Sequence, residues 1–107
     1  MPLIRIEYDN NEVTSVTITE LSNAIQKIVS EVTNIEDVFV YANSSEIRVQ
    51  VAPIEIFVEM SAHKIEDVDK LTQDIVARIK EWKQANNFNH PINFTLIPMQ
   101  WKIEIGI

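Results

Sequence analysis

Hydrophobic and polar residues alternate along several short stretches of the chain, a pattern typical of β-strands with one covered face. Four of these stretches are the main strand candidates: residues 3–8, 37–41, 54–60 and 92–97. Two further stretches alternate in the same way, residues 46–51 and the C-terminal residues 101–107. Pro53 separates residues 46–51 from residues 54–60, and because proline cannot donate to a β-ladder we expect a sheet edge or a strand start there.

Two longer stretches carry apolar residues at helical spacing. The first has one apolar face, formed by Leu21, Ile25, Ile28, Val29 and Val32. Residues 17–20, Thr-Ile-Thr-Glu, have the spacing of a capping box and predict the start of this helix, which Asn34 ends. The second helix has a clearer apolar face, formed by Val68, Leu71, Ile75, Ile79 and Trp82, and we expect it to end at residues 86–87.

The order of these elements is β-α-β followed by β-α-β, with similar residues recurring at an offset of about 50 positions (Ile4 and Ile54, Leu21 and Leu71). It predicts an α/β fold, with a four-stranded sheet and two helices on one face, as a single domain over residues 1–107. Leu3 is then on the uncovered face. The tail, residues 101–107, is a short C-terminal strand without a mate in sequence, and we expect it to pair with another subunit.

Charge and composition exclude several classes of function. The net charge of −7 and the scattered basic residues argue against binding to nucleic acid or to an anionic membrane surface. There is no cysteine, no signal-peptide pattern and no apolar run long enough to span a membrane, so we expect a cytoplasmic protein. A single glycine, Gly106, excludes glycine-rich phosphate loops.

Histidines and carboxylates offer little catalytic chemistry. His63 and His90 are not spaced as zinc ligands, and we expect neither a metal nor a cofactor. Glu55 and Glu59 share one face of a strand but lie roughly 13 Å apart along it, which is long for a glycosidase pair.

Pro2 is the remaining candidate for a catalytic residue. Removal of Met1 leaves Pro2 with a free secondary amine at the head of the first strand. Burial in an apolar pocket disfavours the charged form and lowers the pKa of such an amine, which makes it a base for proton transfer. Pro2 on its own is more simply explained as a proline that begins a strand.

The opening residues, Met-Pro-Leu-Ile-Arg-Ile, followed by two β-α-β units, resemble the tautomerase superfamily, which includes 4-oxalocrotonate tautomerase and macrophage migration inhibitory factor. The likeness is closer to the uncharacterised bacterial DUF1904 group. Residues 53–60 resemble the second-unit strand of that group, and residues 94–100 resemble its ending of a strand with a proline. Residues 62–64, Ala-His-Lys, stand where the group usually has a Gly-Arg-like pair.

The resemblance implies a homotrimer with active sites near subunit boundaries. It implies Pro2 as the catalytic base in keto-enol proton transfer on a small carbonyl or carboxylate substrate, without a cofactor. Arg5 matches a basic residue of the closer group and is a candidate carboxylate binder, although strand alternation places it on the face opposite Pro2. By position, Arg48 is a second candidate anion partner and Trp101 a candidate aromatic wall.

Two other functions fit the same pattern of elements. One is a non-catalytic trimer that uses its boundary pockets for binding. The other is a ferredoxin-like binding or regulatory module, which has the same order of elements along the chain. Retention of Met1 would favour the first alternative over an enzyme, and the order of strands in the sheet separates the second.

Overall fold

A computed structural model describes residues 2–107 and contains four strands, two long helices and one short 3₁₀ turn. The elements follow one another as β1 (Leu3–Tyr8), α1 (Ser15–Thr33), β2 (Phe39–Asn43), β3 (Ile54–Ser61), the turn Ala62–Lys64, α2 (Val68–Ala85) and β4 (Asn93–Met99). Within residues 2–107, neither helix is long and apolar enough to cross a membrane.

The sheet has the strand order β2-β1-β3-β4. β1 is parallel to β2, β3 is parallel to β4, and the two central strands β1 and β3 are antiparallel. Each β-α-β unit therefore places its two strands side by side, and the units meet at the pair β1–β3. The predicted fold class is confirmed.

One face of the sheet carries the hydrophobic core. Ile4 and Ile6 of β1 and Ile54, Ile56 and Val58 of β3 are completely buried and pack against the helices. The helices contribute most of the apolar faces that their spacing predicted, and the buried members include Leu21, Ile25, Val29, Ile75 and Ile79. Val68, the first residue of the predicted face of α2, is 42% exposed instead. The repeat at 50 positions thus reflects equivalent core positions in the two units.

The other face of the sheet has no helix over it, and we call it the open face. Register places its side chains in three rows across the sheet, each running from β2 to β4. The rows are Phe39-Leu3-Glu59-Ile97, Tyr41-Arg5-Phe57-Thr95 and Asn43-Glu7-Glu55-Asn93. Phe39 and Tyr41 are exposed on this face in the single chain.

Helix α1 starts earlier than the sequence predicted. Thr14 is its N-cap, with an extended backbone and a hydroxyl that accepts a hydrogen bond from the Thr17 N–H at 3.2 Å. The predicted capping box at residues 17–20 is wrong because Thr17 already lies in the first turn. Asn34 ends the helix in the left-handed conformation, as expected.

Two predicted strands have bounds shifted by up to two residues, and β3 ends one residue later than predicted, at Ser61. Residues 37–38 precede β2 because the Val38 N–H bonds to the Glu36 carbonyl in a tight turn, so pairing with β1 begins at Phe39. β4 continues to Met99 because its ladder with β3 extends that far. Pro98 is tolerated there because β4 is an edge strand.

Residues 46–51 are not a strand of this sheet, contrary to the prediction. They lie in the connection between β2 and β3, where no neighbouring strand of the same chain pairs with them. The tail also has no regular secondary structure in the single chain. The structure contains a single chain, so the predicted pairing of the tail with another subunit stays a prediction.

Candidate functional site

Pro2 lies directly before β1 and its side chain is buried, with less than 2% of its surface exposed. Its carbonyl accepts a hydrogen bond from the Phe39 N–H at 3.1 Å. Continuing the register of β1 by one residue places Pro2 between Val38 and Met60, which are both buried. Alternation puts the ring on the same side as Ile4, towards the helices.

The sheet topology gathers several chain segments at the end where Pro2 lies. Because β2 runs parallel to β1, the connection from α1 to β2 is at this end. β3 runs antiparallel to β1 and ends here, followed by the turn Ala62–Lys64. β4 ends beside β3, so the tail with Trp101 also leaves the sheet at this end. We call this the Pro2 end of the sheet.

A cavity of about 370 Å³ lies at the Pro2 end, between the last turn of α1 and the first turns of α2. Its lining includes Val32, Lys64, Asp67, Lys70 and Asp74, but not Pro2. The Lys70 Nζ donates to the Asp74 carboxylate at 2.8 Å, and this hydrogen bond raises the pKa of Lys70. The charge of Lys70 is therefore already compensated, which leaves Lys64 as the other cation in this lining.

Arg5 lies on the open face, in the middle row. Its guanidinium carbon is 4.6 Å from the centroid of the Phe57 ring, a cation–π contact. The nearest carboxylate oxygen belongs to Glu7, 3.7 Å from the Arg5 Nε. That Nε is buried and has no hydrogen-bond partner within residues 2–107. The open face thus holds one arginine with unused donor capacity next to three carboxylates, those of Glu7, Glu55 and Glu59.

Arg48 lies at the opposite end of the sheet from Pro2. It donates to the Ser44 hydroxyl, the Ser45 carbonyl and the Asn10 side-chain oxygen, and one of its terminal nitrogens is 3.4 Å from the Asp9 carboxylate. These contacts attach the β2–β3 connection to the turn after β1. Arg48 also lines a cavity of about 290 Å³ together with Tyr8, Glu7, Glu55 and Phe57 among others.

No protein-family model matches the sequence, and no curated protein matches it. Solved structures do match the fold. An FG41 malonate semialdehyde decarboxylase inhibited by 3-bromopropiolate is 16% identical with a TM-score of 0.68, over 98% of this chain and 91% of that protein. A fused 4-OT that forms an asymmetric trimer is 11% identical with a TM-score of 0.67, and the match covers 94% of this chain and 91% of that protein. A DUF1904 domain from Sebaldella termitidis is 14% identical with a TM-score of 0.65, and the match covers 100% of this chain and 98% of that protein.

The chain has the tautomerase fold. The resemblance inferred from the opening residues and the two β-α-β units is therefore confirmed at the level of structure. The strand order excludes the ferredoxin-like fold of the second alternative. A ferredoxin-like sheet splits its β-α-β units with an inserted strand, whereas here the two strands of each unit are direct neighbours.

Within one chain of this tautomerase fold, the four predicted site residues do not converge. Pro2 and Trp101 belong to the same end of the sheet. Arg5 lies on the open face, and Arg48 is separated from Pro2 by the length of β1, roughly 20 Å for six residues. Any site that uses both Pro2 and Arg48 needs them from different copies.

Sequence reasoning missed the neighbours that determine how the two arginines are held. Phe57 under Arg5 follows from the β1–β3 register, and Asp9 and Asn10 beside Arg48 follow from how the β2–β3 connection folds back. Alternation alone indicated which face Arg5 is on. Nothing in the local sequence indicated its neighbours across the sheet.

Proposed function

We propose that the protein is a cofactor-independent tautomerase that acts on a small carbonyl compound carrying a carboxylate, with the Pro2 amine as its base. The observation that carries the proposal is the position of Pro2, buried at the head of β1 in a tautomerase fold. Solved structures with this fold include a 5-carboxymethyl-2-hydroxymuconate delta-isomerase and a malonate semialdehyde decarboxylase, so the fold supports chemistry next to carbonyl and carboxylate groups.

In the proposed reaction the Pro2 nitrogen takes a proton from the carbon next to the carbonyl. The C–H electron pair forms the carbon–carbon double bond of an enolate, and the carbonyl π electrons move to oxygen. The protonated amine then returns the proton to another atom of the same conjugated system. No electrons enter or leave, so the reaction needs no oxidant or reductant, and the proposed base is supplied by the chain itself. The apolar surroundings of Pro2 favour the uncharged amine that the first step requires.

Binding of the substrate carboxylate is assigned to Arg5 and Arg48, with Trp101 as an apolar wall. Trp101 leaves the sheet at the Pro2 end of its own chain. Because Pro2 and Arg48 lie at opposite ends of the sheet within one chain, the proposal takes Arg48 from a second copy, with the site at a subunit boundary. The proposed assembly is a homotrimer, and the fused 4-OT structure with this fold is a trimer. A location in the cytoplasm belongs to the same proposal.

The proposal requires that Met1, which lies outside the described residues, is removed. Mass spectrometry of the protein expressed in its native form tests this step, and we expect the mass of a chain that begins at Pro2. A retained methionine makes the Pro2 nitrogen an amide without a basic lone pair. That result contradicts the enzyme and favours the non-catalytic trimer.

Activity is tested by following the absorbance of enol and keto forms across a panel of small 2-oxo acids. We expect Pro2→Ala, which replaces the rigid secondary amine by a primary amine, to lower kcat/KM, and complete removal of the base to lower it by roughly 10²–10⁴-fold. A chain extended by two residues before Pro2 is the sharper variant, because it keeps the ring but removes the amine. Full activity of that extended chain would overturn the assignment of Pro2.

A further inference from the structure

A cavity of about 510 Å³ lies where α2 ends and the connection to β4 begins, and we call it the α2-end cavity. It is larger than the two cavities described above. Because α2 starts at the Pro2 end of the sheet, its last turn lies at the opposite end, where β4 begins. The α2-end cavity is therefore separate from the Pro2 nitrogen of the same chain.

Two lysines give this cavity a local positive charge. Lys80 and Lys83 are three residues apart on α2, which makes them neighbours on the helix surface, with Cβ atoms about 5–6 Å apart. Glu81 is the one carboxylate of the lining. Within residues 2–107 neither lysine forms an ion pair, in contrast to Lys70 and Arg78 of the same helix. Two unpaired cations in a chain with a net charge of −7 favour an anionic ligand here.

Three amide side chains complete the polar lining. They belong to Gln84, Asn87 and Asn89, and each amide has both donors and acceptors. The neighbouring Asn86 amide is already used, because it donates to the Trp82 carbonyl at 2.9 Å. In the part of the chain that the structure describes, the three lining amides have no such bond. They are the groups that recognise hydroxyls on a ligand.

The backbone at the end of α2 holds the polar groups in place. The Phe88 N–H donates to the Lys83 carbonyl at 2.9 Å and the Asn87 N–H to the Gln84 carbonyl at 3.4 Å, the pattern of a Schellman motif. Asn87 adopts the left-handed conformation that this motif requires, with φ of 53°. The positions from which the amides project are therefore determined by the helix end.

Phe88 forms the apolar wall of the cavity and is itself only 9% exposed. The Trp82 and His90 rings pack against it, with centroids at 5.2 and 5.3 Å. The Lys83 Nζ lies 6.0 Å from the centroid of the Phe88 ring, a cation–π contact. This contact keeps Lys83 beside the cavity, so less side-chain ordering is lost when an anion binds.

We propose that the α2-end cavity binds a phosphorylated sugar or sugar alcohol. A lysine ammonium is a compact charge suited to phosphate, and the amides pair with hydroxyl groups. The volume is in the range of small-molecule sites, about 300–1,000 Å³. Phosphate alone leaves the amides unused, and an uncharged sugar leaves the lysines unused. This inference does not depend on catalysis by Pro2.

Titration of the ¹⁵N-labelled protein with sorbitol 6-phosphate tests the site by NMR. This probe has no carbonyl group, so it cannot react as a substrate at Pro2. We expect saturable shifts of the backbone amides of residues 80–89. Sorbitol and inorganic phosphate each lack half of the recognised groups, and we expect both to bind roughly tenfold more weakly or worse.

Lys80→Gln removes one cation and should weaken binding of sorbitol 6-phosphate by roughly tenfold, because hydrogen bonds to charged groups are the strong ones. The matched control is Lys27→Gln, since Lys27 is an exposed lysine on α1 that does not line the cavity. We expect the control to bind the probe as the native chain does.

Asn87→Gly separates a binding role from a structural one. Glycine adopts the left-handed conformation without strain, so the end of α2 keeps its backbone and we expect no loss of stability in urea. Loss of the amide should weaken binding by about two- to tenfold. An amide that serves only the helix end predicts unchanged binding instead.

Three results would each overturn the proposal. One is the absence of saturable shifts in residues 80–89 at millimolar sorbitol 6-phosphate. Another is equal affinity for inorganic phosphate or for sorbitol, and the third is native-like binding by both Lys80→Gln and Asn87→Gly. None of these results bears on Pro2, because its activity is measured with a different compound.

Discussion

At the scale of single residues, the two arginines assigned to the site have different local roles. Arg48 is mostly buried, with 18% of its side chain exposed, and its donors are directed at acceptors from two connections. Arg5 lies on the open face with a buried Nε that has no partner within residues 2–107. Arg48 therefore contributes to the stability of the chain, whereas Arg5 retains donor capacity for another molecule.

The role of Arg48 predicts the effect of its removal. Arg48→Ala deletes hydrogen bonds from a charged donor in a partly buried place, and we expect the free energy of unfolding to fall by about 1–3 kcal/mol. The matched control is Arg78→Ala, whose ion pair with Glu31 is exposed and typically contributes about 0–1 kcal/mol. Urea denaturation of both variants makes the comparison. Equal losses would show that Arg48 does not hold the connection.

At the scale of elements, hydrogen bonding decides where each helix or strand begins. Thr14, not Thr17, caps α1, because its hydroxyl accepts the Thr17 N–H. Asp67 does the same for α2 by accepting the Lys70 N–H at 3.0 Å. Strands need a neighbouring strand as well as alternation, and this is why residues 46–51 and β1 differ in structure although their patterns are similar.

The assignment of the cap predicts a difference between two threonines of α1. Thr14→Ala leaves an N–H at the helix start without its partner and should cost about 1 kcal/mol of unfolding free energy. Thr17→Ala removes only a hydroxyl contact within the first turn, and alanine is the better helix former, so we expect a smaller loss. Thermal or urea unfolding distinguishes the two. A larger loss for Thr17 would restore the capping box predicted from the sequence.

At the scale of the whole molecule, one face of the sheet is covered and the other is not. The helices bury Ile4, Ile6 and their neighbours, while Phe39 and Tyr41 are exposed on the open face. The open face also carries the like-charged pair Glu7 and Glu55 directly across β1 and β3, which is unfavourable in an isolated sheet. Both features favour an assembly in which other copies contribute apolar and cationic groups to this face.

The oligomeric state tests whether other copies cover the open face. We expect the native chain to be a trimer by light scattering, and Phe39→Asp to shift it to smaller species, because a buried charge without a partner disfavours association. Val16→Asp is the control, since Val16 is exposed on α1 and outside the open face. A native chain that stays a monomer at high concentration would refute the assembly and the subunit-boundary site with it.

The sequence by itself determined both helices, the approximate positions of the four strands of the sheet and much of the core. Their periodicities are local, and burial of Ile4, Ile56 and Leu21 follows directly from them. Only the tertiary structure decided that β1 and β3 are central and antiparallel, that Arg5 lies over Phe57, and that Arg48 is remote from Pro2. These facts depend on contacts between distant parts of the chain, and alternation specifies a face but not a neighbour.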